Sequence, residues 1–273
     1  MRLWDRGCWR ATRTPIGAAT LLLTVDGATV DAEAWGPGAA WALEHVGDLL
    51  GAHDDPSSFA PPPGLVRTML RESGGPASVR IGRSLAVAEA LVPTVLEQRV
   101  TGPAARRSWR WLIHRLGEPA PGHLAGLRLP PSPAALASTP SWVFHRAGVE
   151  RKRAQTITVA MHRARRLEET TAMSMVDAHR RLRAFPGIGP WTSNEVAVVA
   201  LGDPDAVSVG DFHLKNLVSY ALAGEPRGTD ERMLELLEPY RGHRARAVRL
   251  IERSGIGAPS YGPRVEVPAI ANL

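Results

Sequence analysis

From residue 65 to residue 254 the apolar residues recur at helical spacing, in short stretches cut apart by Gly and Pro. A chain patterned this way packs helix on helix. Strand-like runs are confined to its beginning. Residues 18–25 and 28–35 read as two strands joined at Asp26-Gly27, a hairpin turn signal. Residues 41–50 read as an amphipathic helix, and a Pro-rich loop of small residues covers 54–64. Helical periodicity predicts helices over 84–117, interrupted at Pro93 and at Gly102-Pro103, and over 132–137, 149–170, 174–185, 190–201, 212–222 and 230–254. The expected organisation is a small α/β domain over 1–80, an all-α domain over 81–257 and a loosely structured tail over 258–273.

The 273 residues are enough to bury a sizeable core. No apolar run reaches bilayer length and no signal-peptide pattern opens the chain, so a cytoplasmic location, close to the nucleoid if the partner is DNA, is expected. A single cysteine, Cys8, excludes an internal disulfide framework, an iron–sulfur cluster and a Cys-rich zinc site. His145, His162, His179 and His243 do not fall at zinc-ligand spacing, and no metal ligand set is assigned. The net charge is +6, from 33 Lys and Arg against 27 Asp and Glu. Nearly all the cations are arginine; the lysines are Lys152 and Lys215. Arginine pairs with phosphate bidentately and stacks on bases, which suits nucleic acid, but a GC-rich genome favours arginine as well.

Chemistry concentrates in two neighbouring segments. In the first, Phe185-Pro186-Gly187-Ile188-Gly189-Pro190-Trp191-Thr192, two glycines bracket one apolar residue between two helical patterns. Pro190 suits the first turn of the second helix, where its missing N–H costs nothing. Such a turn presents backbone N–H groups at a helix start, an anion site that on DNA meets a phosphate. Ile188 is expected to tuck between the two helices. In the second segment, Ala206-Val207-Ser208-Val209-Gly210-Asp211-Phe212-His213-Leu214, a short extended stretch delivers Asp211 to the start of another helix. An Asp there is a favoured N-cap, whatever else it does.

Taken together, Pro-Gly-Ile-Gly followed by Val-Ser-Val-Gly-Asp-x-His resembles the signature of the helix-hairpin-helix DNA glycosylase superfamily, and most closely its AlkA-like 3-methyladenine DNA glycosylase II group. The resemblance runs from about Trp41 to Gly255. It takes in the 91–100 segment around Gln98 and Arg99 and the Gly148–Ala154 helix start. The fold it implies is mostly α, with two helical lobes preceded by a small N-terminal α/β segment. The activity it implies is a monofunctional glycosylase that flips a damaged base, an alkylated purine in the first instance, and hydrolyses its N-glycosidic bond. The partner is double-stranded DNA containing a damaged base, bound by a monomer. No cofactor is required, although hairpin carbonyls of the superfamily can hold a structural monovalent cation.

Residue by residue, Asp211 matches the catalytic carboxylate, which stabilises the oxocarbenium-like sugar and can orient the attacking water. Trp191 stands where strand-cutting relatives carry a Schiff-base lysine, and it matches a base-pocket aromatic. Glu195 and Arg249 replace pocket aromatics, and Tyr240 is the candidate to restore stacking. The DNA-binding set is Gly187, Ile188, Gly189 and Thr192 of the hairpin, Gln98 and Arg99 of the loop that fills the hole left by the flipped nucleotide, and Lys215. The alternative is a lesion-binding protein that keeps the hairpin and has lost turnover.

Overall fold

The computed structural model describes residues 1–4 and 6–259. The tail expected over 258–273 therefore falls, from residue 260 on, outside the described residues. An antiparallel sheet of four strands opens the chain: β1 (Arg2–Trp4), β2 (Gly7–Thr14), β3 (Gly17–Asp26) and β4 (Thr29–Trp35), in the spatial order of the sequence. The pairing Asp26↔Thr29 leaves Gly27 and Ala28 as the turn between β3 and β4, with Gly27 at a positive φ of 57°. The sequence pattern misses β1 and β2. In β2 the run Cys-Trp-Arg-Ala-Thr-Arg lacks a clean alternation, because Arg10 and Thr12 point polar groups at a buried partner: both bond the carboxylate of Glu89, at 2.9 and 2.7 Å.

The helices follow as α1 (Ala39–Glu44), α2 (Val46–Leu50), α3 (Leu65–Glu72), α4 (Val87–Glu97), α5 (Gly102–Leu116), α6 (Pro133–Ser138), α7 (Ser141–Arg146), α8 (Arg151–His162), α9 (Ala164–Glu168), α10 (Met175–Arg183), α11 (Pro190–Val196), α12 (Leu214–Ala223), α13 (Asp230–Leu237) and α14 (Arg244–Arg253). Several predicted helices are split. The 149–170 stretch breaks at Arg163, and 230–254 breaks at Pro239 and Gly242, where proline and a positive-φ glycine end regular hydrogen bonding. Past Val196, α11 runs on as one π-helical turn over Ala197–Leu201, ending at the left-handed Gly202. No helix among the described residues is long and apolar enough to cross a membrane.

Two hydrophobic cores define two lobes. The first gathers Leu91, Val95 and Leu96 of α4 with Phe144, Ile157, Leu182, Ile188 and Val196. The second gathers Val207, Leu214, Val218, Met233, Leu237 and Leu250 with Phe59, Val66, Leu70 and Val79 from early in the chain. A buried ion pair joins those early residues to the last helix: Arg246, 1% exposed, grips both carboxylate oxygens of Asp54. Burial alone would raise the Asp54 carboxyl, but the Arg246 bonds and the Ile81 N–H outweigh it and hold the carboxyl below its usual range.

The helix α4 is the strut of the first lobe, and carboxylates and guanidinia fix both its ends. Glu168 accepts the N–H groups of Val87 and Ala88, each at 2.9 Å, which satisfies two of the unpaired donors of the first turn. Glu89 docks the sheet through Arg10 and Thr12. At the other end Arg153, 2% exposed, donates to the Leu96 carbonyl at 2.6 Å. Arg153 is thus withdrawn from the basic cluster around Arg151 and Lys152. The outcome is that Gln98, just past α4, is held in place against the hairpin.

Candidate active site

The hairpin is the turn between α10 and α11. Ser174 caps α10 by accepting the Asp177 N–H at 3.2 Å. Ile188 is 4% exposed and inserts into the first core, as its apolar character between two glycines requires. Gly187 has a φ of 83°, and a Cβ on it would lie 2.0 Å from Thr156 Oγ1, so no other residue fits without displacement. Gly189 is the N-cap of α11, with no side-chain cap bond, and a Cβ there would meet nothing within 4 Å. Among the described residues no acceptor meets the backbone N–H of Gly189, Trp191 or Thr192. Gln98 clamps the turn from α4: its amide donates to the Gly187 carbonyl at 3.0 Å and to Thr192 Oγ1 at 2.9 Å.

These contacts correct part of the expected DNA-binding set. The side chains of Ile188 and Thr192 are buried, so only their main chain can face a partner. The Gln98 amide is bound to the hairpin rather than extended as a wedge. Arg99, next to it, is exposed and sits in the left-handed region at a φ of 57°, unusual for a residue with a side chain.

Three side-chain rungs tie α11 to the loop at 207–211. Asn194 donates to the Val207 carbonyl at 2.5 Å, Ser208 hydrogen-bonds a Glu195 carboxyl oxygen, and the Trp191 indole N–H reaches Asp211 Oδ2 at 3.3 Å. The other oxygen of Asp211 accepts the N–H groups of His213 and Leu214 at 2.7 and 2.8 Å, capping α12. Asp230 braces the loop from α13 by accepting the Gly210 N–H at 3.1 Å and pairing with Lys215 at 3.7 Å. Lys215 therefore points at Asp230. The loop lies where the chain passes from the first core to the second, with Ala197 in one and Val207 in the other.

Around Asp211 the electrostatics are unusual for a basic protein. Burial raises the carboxyl of Glu195 above its usual range; the carboxylates of Glu97, Asp211 and Glu252 add to the rise, and the Ser208 hydrogen bond opposes it. Burial lowers the Arg249 guanidinium, which lies one turn before the exposed Glu252 on α14. Trp191, Glu195 and Arg249 are all half-buried. Tyr240 is placed otherwise: it is 8% exposed and packed in the second core, and no described contact joins it to Trp191 or Asp211.

Two features escape the sequence reading. Phe212, immediately after Asp211, is 72% exposed and meets the His213 ring edge-on, with ring centroids 5.0 Å apart. An aromatic placed directly after a helix-capping carboxylate was the available signal. His179, one of several isolated histidines in the sequence, bridges Ser193 Oγ at 2.6 Å and Asp203 Oδ2 at 2.9 Å. That bridge fixes α10 to α11 and to the segment behind it.

No protein-family model matches the chain. Over 170 residues it is 32% identical to a probable bifunctional transcriptional activator/DNA repair enzyme AlkA of Mycobacterium tuberculosis, a match covering 61% of this chain and 34% of that protein. The chain thus spans about a third of the length of the curated relatives it matches. Among solved structures, a 3-methyladenine DNA-glycosylase from Archaeoglobus fulgidus superimposes with a TM-score of 0.73 at 20% identity, covering 91% of this chain and 87% of that one. The apo form of the Clostridium acetobutylicum 8-oxoguanine glycosylase/lyase gives 0.67 at 15% identity over 90% and 88%. The Schizosaccharomyces pombe 3-methyladenine DNA glycosylase Mag1, in complex with abasic DNA, gives 0.58 at 19% identity over 72% and 94%. These structural likenesses show the fold: two helical lobes, with the hairpin in the first, preceded by the small sheet. The chain is thus similar in fold to these DNA glycosylases and similar in sequence, over 170 residues, to part of AlkA.

Proposed function

We propose that the protein is a monofunctional DNA glycosylase that binds double-stranded DNA, draws a damaged base out of the stack and hydrolyses its N-glycosidic bond, leaving an abasic site. The observation that carries this reading is the fixing of Asp211. One carboxylate oxygen is held by two backbone N–H groups and the other by the Trp191 indole, so the charge is set in place before any sugar arrives. A preorganised carboxylate beside C1′ stabilises the positive charge that develops as the base departs. The uncapped start of α11 takes a backbone phosphate on its open N–H groups, and Arg99, exposed beside the clamp, fills the gap left by the flipped nucleotide. Trp191 lines the pocket for the base, with Glu195 and Arg249 nearby. The Phe185 and Gly187 carbonyls, which accept the Ile188 N–H and the Gln98 amide, each keep a second lone pair with which the hairpin could hold a structural monovalent cation.

The reaction ends at base release. Strand cleavage by β-elimination needs an amine that attacks C1′. Lys215 is paired with Asp230, and Lys152 lies at the first turn of α8 in the first lobe. An alkylated duplex, incubated with the protein, releases free base while the strand stays intact until alkali is added. Borohydride traps no covalent protein–DNA band. A trapped band lost in Lys215→Ala places the protein among the glycosylase/lyases instead, and the absence of any free base removes the glycosylase reading.

A further inference from the structure

The helix α11 presents two different faces to its surroundings. Ser193 and Asn194 turn toward His179 and the Val207 carbonyl. Trp191 and Glu195, four residues apart, share the face that meets the Asp211 loop, since residues at that spacing lie one above the other on a helix. Trp191 reaches Asp211, and Glu195 reaches Ser208, three residues earlier on the same loop. One Glu195 oxygen is engaged by Ser208, and the other has no described partner. The groups facing Glu195 come from each element around it: Glu97 from the end of α4, Asp211 from the loop, and Glu252 from α14, where Arg249 is the neighbouring cation. Burial and three carboxylates together favour the protonated form of Glu195. Beside it, three N–H donors fix the position of Asp211.

We propose that Glu195 is a proton donor to the departing base, which extends the reaction from cationic alkylated bases to uncharged purine lesions. This rests on the glycosylase reading above. A base alkylated on a ring nitrogen carries a positive charge and leaves as a neutral molecule. An uncharged base would leave as an anion unless a proton reaches it. In the proposed step the C1′–N9 bond breaks and its electron pair passes to the base. The Glu195 hydroxyl delivers its proton to a ring nitrogen of that base. Water adds to C1′, and the proton it loses passes by way of Asp211 and solvent to restore Glu195. The sum is one water consumed, one hydroxyl on the sugar and one neutral base released.

Protonation sets the sign of the pH dependence. The donor is present below the Glu195 pKa and lost above it, so release of uncharged bases falls as pH rises through that value. Release of cationic bases does not share this limb. The test measures single-turnover release of hypoxanthine, which is uncharged, and of 7-methylguanine, which is cationic, from otherwise identical duplexes. Glu195→Gln lowers the ratio of hypoxanthine to 7-methylguanine release about 100-fold and removes the alkaline limb for hypoxanthine. Ser208→Ala, which removes the hydrogen bond opposing protonation, moves the alkaline limb for hypoxanthine to higher pH without abolishing it. Thermal unfolding of both variants accompanies the rates, so that loss of fold is read separately; if Glu195→Gln does not fold, the Ser208→Ala limb decides. Equal losses on both bases in a folded Glu195→Gln overturn the proposal and make the residue structural. So does unchanged hypoxanthine release, an unmoved limb in Ser208→Ala, or a wild type that releases 7-methylguanine and not hypoxanthine. If the wild type releases neither base and Asp211→Asn behaves identically to it, the glycosylase reading itself fails, and this proposal with it.

Discussion

Helices α11 and α12 are joined through the Asp211 loop, and their first turns are finished in opposite ways. The α11 start is open: Gly189 supplies no side-chain cap, Pro190 has no N–H, and the donors of Trp191 and Thr192 meet no acceptor among the described residues. At the α12 start, Asp211 closes the turn by accepting two of its N–H groups. The positive end of a helix dipole therefore faces outward at one and is covered by a fixed negative charge at the other. An open start attracts a phosphate; a start closed by a carboxylate repels one and offers its charge to a cation. On the proposed function, one structural device serves twice, once toward the anionic backbone and once toward the cationic sugar.

The largest expected effect separates charge from cap. Asn caps a helix about as well as Asp. Asp211→Asn should therefore leave thermal stability and duplex binding close to wild type while base release falls about 100- to 1000-fold. An unchanged release rate would reduce Asp211 to a cap and dissolve the contrast. Next comes the open start. Gly189→Ile adds a side chain where no protein atom lies within 4 Å, so the fold tolerates it. Loss of charge-assisted N–H contacts to phosphate should weaken binding of any duplex about 10- to 100-fold, with a shallower salt dependence. Affinity equal to wild type across a salt titration would show that phosphate goes elsewhere. Its neighbour behaves in the reverse sense. Gly187→Ala, at positive φ and against Thr156, should cost about 1–3 kcal/mol in a urea titration, with part recovered by Thr156→Ala. The smallest effect isolates the cap: Asp211→Ala should unfold about 1 kcal/mol more easily than Asp211→Asn.

Both helix starts were legible because their chemistry is local. Glycines around Ile188, Pro190 in a first turn and an acid at a helix start are statements about a few consecutive residues. The helical character of 65–254 was legible for the same reason, through its periodicity. What was hidden depends on partners distant in the chain. Thr192 reads as a surface residue until Gln98 is seen to bind it, 94 positions away. Tyr240 sits among basic residues in sequence yet packs inward, because Met233, Leu237 and Ala247 surround it. Arg153 stands in a basic run, but its guanidinium ends at the Leu96 carbonyl. The strand β2 was missed because its polar residues are paid for by Glu89, on a helix that begins more than seventy residues later.

The second core has a consequence for the making of the protein. Phe59, Val66, Leu70 and Val79 complete their core with residues from Val207 to Ile251, and Asp54 waits 192 positions for Arg246. At about 5–20 residues per second, a ribosome leaves that apolar stretch without its native cover for on the order of ten seconds or more after it emerges. The first lobe, whose core runs from Val87 to Leu201, is complete before the second has its last helix. A nascent chain therefore carries a finished domain behind a sticky segment, and α14 ends the period in which that segment can aggregate or recruit a chaperone.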